Sequence, residues 1–223
     1  MSLKTIDEKL NEGRTYRNFD LSSFEHMAMA DDDKTVEGYA STFNQPYELY
    51  RDSYAGETYI LREQVDPEAF ANCDMNDVIM QYNHEGRVFA RTGNGTLELN
   101  ADEIGLHVRA NLAGTEIGRQ LFEEIEGGYT TKMSFGFRVA KDKRERTEER
   151  NEETGTVTYT VLRTITEISK LYDVSAVSLP ANDATSISAR SWCDGVIAEL
   201  KEERLAHEQR ERQKHKIRLL MEV

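Results

Sequence analysis

The stretch Lys132-Met133-Ser134-Phe135-Gly136-Phe137-Arg138-Val139 constrains this chain more than any other. Met133, Phe135, Phe137 and Val139 fall on one side, and Ser134, Gly136 and Arg138 on the other. A period of two is the pattern of a half-buried strand, because successive side chains of a strand leave opposite faces. The apolar face then meets a core, while the other face carries a hydroxyl, a bare backbone and a cation. Glycine weakens a strand interior, and one reason to keep it is close approach by another backbone or a ligand. Ser134 is therefore expected to stand exposed beside a groove that takes an extended peptide. In isolation an ordinary solvent-facing serine reads the same way, so the rest of the chain has to decide.

The same period recurs along the chain. Residues 35–43, 59–64, 77–84, 95–100, 105–112, 156–168 and 171–179 read as strands from their alternation or their Thr and Val content. Residues 115–126 change period: Ile117, Leu121, Phe122 and Ile125 form one helical stripe, Thr115 can cap its start, and Gly127-Gly128 can stop it. Asp66-Pro67-Glu68-Ala69-Phe70 places an N-cap before a proline and is expected to open a short helix. Seven or so closely spaced strands with one or two helices predict a mainly β fold, an antiparallel sheet closed or nearly closed into a barrel. Residues 141–153 are almost wholly charged and read as a solvated hairpin extension or a partly disordered loop.

Three segments follow from composition. Residues 1–34 are polar, end in Asp31-Asp32-Asp33 and read as a flexible arm; residues 35–190 form the β domain. Residues 191–223 are charge-neutral, so the formal charge of −13 belongs to the rest of the chain. This tail has little to bury, reads as helical or disordered, and is not expected to be needed for the β domain to fold. The acidic balance argues against a nucleic-acid or anionic-membrane binder. No apolar run approaches the ~20 residues that span a bilayer, and the polar start does not resemble a signal peptide. Two distant cysteines, Cys73 and Cys193, suit free thiols in a reducing compartment; no cofactor or metal site is indicated.

A nucleophilic serine needs a base and a group that orients the base. Of five histidines, His26 lies in the arm, and His207 and His215 in the tail. His84 ends a strand before the turn residues Glu85-Gly86, and His107 lies between Leu106 and Val108; either could be the base or an ordinary strand residue. Asp173, in Leu171-Tyr172-Asp173-Val174-Ser175, is a carboxylate within an apolar strand. It is either buried and paired, as the cost of burying a charge requires, or it faces solvent from an edge.

Five pieces, in order, resemble the prohead (capsid maturation) serine proteases of tailed bacteriophages, a family thought to share the fold of herpesvirus assemblins. They are Glu37-Gly38-Tyr39-Ala40-Ser41-Thr42-Phe43, Val65-Asp66-Pro67-Glu68-Ala69-Phe70, Tyr82-Asn83-His84-Glu85, Met133-Ser134-Phe135-Gly136-Phe137 and Leu171-Tyr172-Asp173-Val174-Ser175-Ala176-Val177-Ser178-Leu179-Pro180-Ala181. The resemblance covers roughly residues 36 to 183 and implies Ser134 as nucleophile, His84 as base and Asp173 as the acidic third member. Many relatives carry Glu at the third position, one methylene longer. The implied activity is an endopeptidase that clips scaffold segments from capsid proteins, and itself, inside the assembling prohead in the host cytoplasm. Its implied partners are the major capsid protein and a second copy of itself. Backbone N–H groups beside Ser134, with Arg138, are the expected oxyanion donors. The alternative reading is a catalytically idle capsid-assembly or scaffolding protein that keeps the fold for binding.

Overall fold

The computed structural model describes residues 14–20, 34–54, 56–178 and 187–221. Among these residues ten strands run in chain order: β1 Thr15–Asp20, β2 Thr35–Thr42, β3 Tyr47–Tyr54, β4 Glu57–Val65, β5 Ile79–Tyr82, β6 Glu85–Arg91, β7 Leu97–Ala101, β8 Gly105–Asn111, β9 Lys132–Arg150 and β10 Val157–Val177. Helix α1 spans Glu116–Glu126 between β8 and β9, and α2 spans Ile187–Met221. Thr115 caps α1 by accepting from the Gly118 N–H at 3.0 Å, as its place before the apolar stripe predicts.

The strands form two sheets. The larger has the order β1-β9-β10-β4-β3, with β5 also on β10 and β6 on β5; the smaller is β2-β8-β7. Their inner faces meet in one core. Val36, Leu106 and Val108 from the small sheet join Met133, Phe135, Phe137, Val139, Ile165 and Val174 from the large one, and α1 closes it with Leu121, Phe122 and Ile125. The apolar side of the 132–139 alternation lies in this core, as its period requires.

The mainly β expectation holds, but the purely antiparallel sheet does not. β10 pairs in parallel with both β4 and β5, so the larger sheet is mixed. No sheet closes on itself among the described residues. The reason lies in β10: it is long enough for β4 to pair along its first half and β5 along its second, and each connection is a crossover. Residues 67–72 form successive turns rather than a helix, with Asp66 Oδ1 accepting from the Glu68 N–H at 3.0 Å.

The charged stretch is a regular hairpin extension. β9 runs to Arg150 and β10 returns from Val157, paired residue for residue over Arg150–Asp142 and Val157–Ile165. The start of α2 packs on this extension. Cys193, Val196 and Ile197 are buried against Tyr59, Leu61 and Val161. Arg146 on β9 bonds Glu199 at 2.9 Å and Glu203 at 2.6 Å, and Arg204 pairs with Glu57. The tail thus has little to bury, as expected, but that little is an apolar turn or two packed on the β domain. Of the 1–34 segment, residues 14–20 and 34 are described, and β1 pairs with the Ser134 strand; the rest lies outside the described residues. No helix among the described residues is long and apolar enough to cross a membrane.

Candidate active site

Three elements bring the site together on the outer face of the large sheet. β9 carries Ser134, and its neighbour β10 carries Asp173 and Ser175, in register with Gly136 and Ser134 respectively. Leu171, Val174 and Ala176 all enter the core, so the strand changes parity between Leu171 and Asp173. An irregularity in the β9–β10 ladder lies at that point. A bulge re-aims the side chains that follow it. Here it moves Asp173 off the apolar face and onto the face that carries Ser134.

The histidine arrives on a turn. β5 lies beside β10 and turns back into β6 through the two residues Asn83 and His84, since Tyr82 pairs with Glu85. Both turn residues have positive φ, 50° and 60°, which is the requirement of the type I′ hairpin turn that suits the twist of paired strands. Asn83 tolerates this backbone, and its Oδ1 accepts from the Ser178 N–H at 3.1 Å, which ties the turn to the end of β10. A cleft of about 490 Å³ adjoins the turn, between the β5–β6 hairpin and α1, lined by Tyr82, Phe89, Ile117, Gln120 and Leu121 among others.

The result is a continuous hydrogen-bonded chain. His84 Nε2 lies 2.6 Å from Ser134 Oγ, and His84 Nδ1 lies 2.5 Å from Asp173 Oδ2. Ser175 Oγ donates to the same Oδ2 at 2.8 Å, while Arg14 pairs with Oδ1. Asp173 is fully buried. Burial by itself pushes its carboxyl up, but the His84 hydrogen bond and charge, the Arg14 guanidinium and the Ser175 hydroxyl outweigh it and hold the group below its ordinary value. The buried and paired alternative for Asp173 is therefore the one realised. Gly136 makes room for it: a Cβ there would lie 2.2 Å from Asp173 Oδ1 and 2.9 Å from Arg14 Nε. The glycine in the strand answers to a carboxylate approaching from β10, not to an open groove.

Other expectations fare differently. Ser134 is fully buried, not exposed, and β9 is paired on both sides there, by β1 and β10. His107 lies on β8 in the other sheet, 3.8 Å from Glu37 and edge-on to Tyr39. Arg138 is exposed and four residues along β9 from Ser134. His26 lies outside the described residues, and His207 and His215 are on α2. No group of three or more metal-ligating side chains that could hold an ion occurs among the described residues. Sequence reasoning missed Arg14 and Tyr16, whose ring packs on the His84 ring at 4.1 Å. The only signal was Thr15-Tyr16 and Phe19, strand-favouring residues in a segment otherwise read as an arm.

The family model described as caudovirus prohead serine protease matches residues 20–195, most of the chain. The chain belongs to this family. No curated protein and no solved structure matches it. The family match opens at the last residue of β1 and ends in the first turns of α2, so it takes in Ser134, His84 and Asp173 but not Arg14 or Tyr16.

Proposed function

We propose that this prohead protease is a serine endopeptidase with Ser134 as nucleophile, His84 as general base and Asp173 as the orienting acid. The hydrogen-bonded order Ser134–His84–Asp173 carries the reading. With Nδ1–H donating to Asp173, the lone pair of Nε2 points at the Ser134 hydroxyl. Oγ attacks the peptide carbonyl as its proton passes to Nε2. The imidazolium formed is stabilised by the Asp173 carboxylate, and it returns the proton to the leaving amine. Water, deprotonated by the same nitrogen, then hydrolyses the acyl-enzyme. The Nδ1–H tautomer follows from the acid, since an ionised carboxylate only accepts.

The substrates of this reading are capsid proteins bearing scaffold segments, and the chain itself, inside the assembling prohead in the host cytoplasm; the family match supports it. The burial of Ser134 favours a second reading, an idle assembly protein that keeps the fold. One experiment separates them. A fluorophosphonate probe should label the full chain at Ser134, and Ser134→Ala should lose both the label and cleavage of capsid protein. A folded chain that takes no label and cuts nothing would leave the idle reading.

A further inference from the structure

Among the described residues β1 is an edge strand, and its only strand partner is β9. It runs antiparallel along Lys132–Phe137, the stretch that holds Ser134, and Asn18 stands opposite Ser134 itself. Its Tyr16 packs on His84, and Arg14, just before it, pairs with Asp173, so the segment also touches the other two members of the triad. With β1 in place, β9 has no main-chain edge free beside the nucleophile. An extended peptide gains affinity by adding as a strand to a sheet edge, so the edge that serves Ser134 is already taken by the chain's own segment.

The side chains say what this edge accepts. Thr15 and Arg17 point to the core face, opposite Phe137 and Phe135, and each is 5% exposed. Arg17 reaches Glu63, a fully buried carboxylate on β4, with two guanidinium nitrogens, one of them at 2.9 Å from Oε2. Its guanidinium also lies 6.0 Å from the Phe137 ring. Tyr47 donates to Glu63 Oε1 at 2.5 Å, and Arg163, held by Asp142 at 2.5 Å, bonds Oε2 at 3.1 Å. Arg144 lies farther out, 3.8 Å from Asp142. Removing Arg17 would strip two hydrogen bonds and one of two cations from a fully buried carboxylate, which is disfavoured even with Tyr47 and Arg163 in place. A strand that replaces β1 on β9 is favoured when it brings a cation to Glu63.

We propose that the outer edge of β9 is the docking strand for substrate, selecting an extended peptide with Arg or Lys opposite Phe135, and that residues 14–20 are a built-in occupant that holds the site closed. The proposal rests on the serine-protease reading for its functional sense, though the docking itself does not. The family match begins where β1 ends, as expected if the catalytic unit is complete without the occupant. The closed arrangement keeps Ser134 buried until a competing basic strand, such as one supplied by a capsid protein, displaces the chain's own.

The test uses the full chain. Arg17→Glu places like charges at Glu63 and should release β1, so fluorophosphonate labelling of Ser134 becomes at least about tenfold faster, because labelling follows the fraction of open chains. Arg17→Lys should label like the parent. A peptide of sequence Arg14–Asp20 should slow labelling of the Arg17→Glu chain, and the same peptide with Gln at position 17 should be at least about tenfold weaker. Slower or unchanged labelling of a cooperatively melting Arg17→Glu chain, or a peptide indifferent to position 17, overturns the proposal. Should that variant fail to melt cooperatively, hydrogen exchange on the parent decides. Release of residues 15–20 ahead of β9 and β10 supports the built-in occupant, and protection equal to theirs overturns it. Polarisation binding of the fluorescent peptide to the chain carrying Arg17→Glu and Ser134→Ala separates the two levels. Binding with no hydrolysis by any variant would sink the protease reading and leave the docking strand standing.

Discussion

At the scale of single residues the site turns on one buried carboxylate. Asp173→Asn keeps the shape but presents an amide that can donate to Nδ1, which favours the tautomer with its proton on the wrong nitrogen. Hydrolysis of a peptide substrate should fall by roughly 10³–10⁴-fold, with labelling of Ser134 reduced alongside. Stability should follow a definite sign. The folded-state carboxyl lies below its ordinary value, through His84, Arg14 and Ser175 working against burial. Its contribution is therefore complete above the unfolded value of about 3.9 and fades as pH falls through the folded value. The melting-temperature gap between parent and Asp173→Asn should be open at neutral pH and narrow below about pH 4. A gap that widens in acid would mean that the carboxyl is held above its ordinary value. The identity of these residues was legible, because a serine on the polar side of an alternating strand and a carboxylate among apolar neighbours both ask for partners. Their arrangement was not. Strict alternation places Asp173 on the face of Leu171, and only the ladder irregularity between them puts it beside Ser134.

At the scale of elements, the geometry depends on a two-residue turn and a glycine. Asn83 and His84 both hold positive φ, a conformation costing an ordinary residue about 1–2 kcal/mol. Asn83→Gly should keep the turn and most activity, losing only the amide bond to Ser178, whereas Asn83→Val should displace His84. Peptidase assays on the two variants check this, and a Val variant as active as the Gly variant would detach the base from the turn. Gly136→Ala should be worse than either, because its methyl would overlap Asp173 Oδ1. Most elements were readable from period and punctuation: β2, β4, β7, β8 and α1 lie within a residue or two of their expected places, and the Ser134 strand begins where expected, at Lys132. Those missed share a cause. β3 and β6 carry polar, exposed faces that leave no alternation, and β1 gains its place from Arg17 reaching a carboxylate 46 residues away. Pairing across that distance leaves no local trace.

At the scale of the whole molecule, the two long strands β9 and β10 organise everything else. Their lower halves sit in the core and carry the site, while their upper halves stand out from it, stiffened by β3 and β4 on one side. With β3 and β4 they make a ribbon whose apolar residues Tyr59, Leu61 and Val161 need a cover, and α2 supplies one with Cys193, Val196 and Ile197. Beyond Arg204 the side chains of Leu205, Arg210, Glu211 and Arg212 are exposed, and none of the described side chains there belongs to the core. The two parts of the tail should therefore behave differently. A chain ending at residue 190 uncovers the ribbon, and losing burial worth about 1.5–3 kcal/mol per large apolar side chain should cost several kcal/mol. At roughly 2–4 °C per kcal/mol for a chain of this size, its melting temperature should drop by about 10 °C or more. A chain ending at residue 206 keeps those contacts together with the Arg204–Glu57 and Arg146–Glu199 pairs, and should melt within about a degree or two of the parent. Calorimetry on the three lengths decides. Equal melting of the two truncations would show that the ribbon needs no cover and that α2 serves something outside this chain.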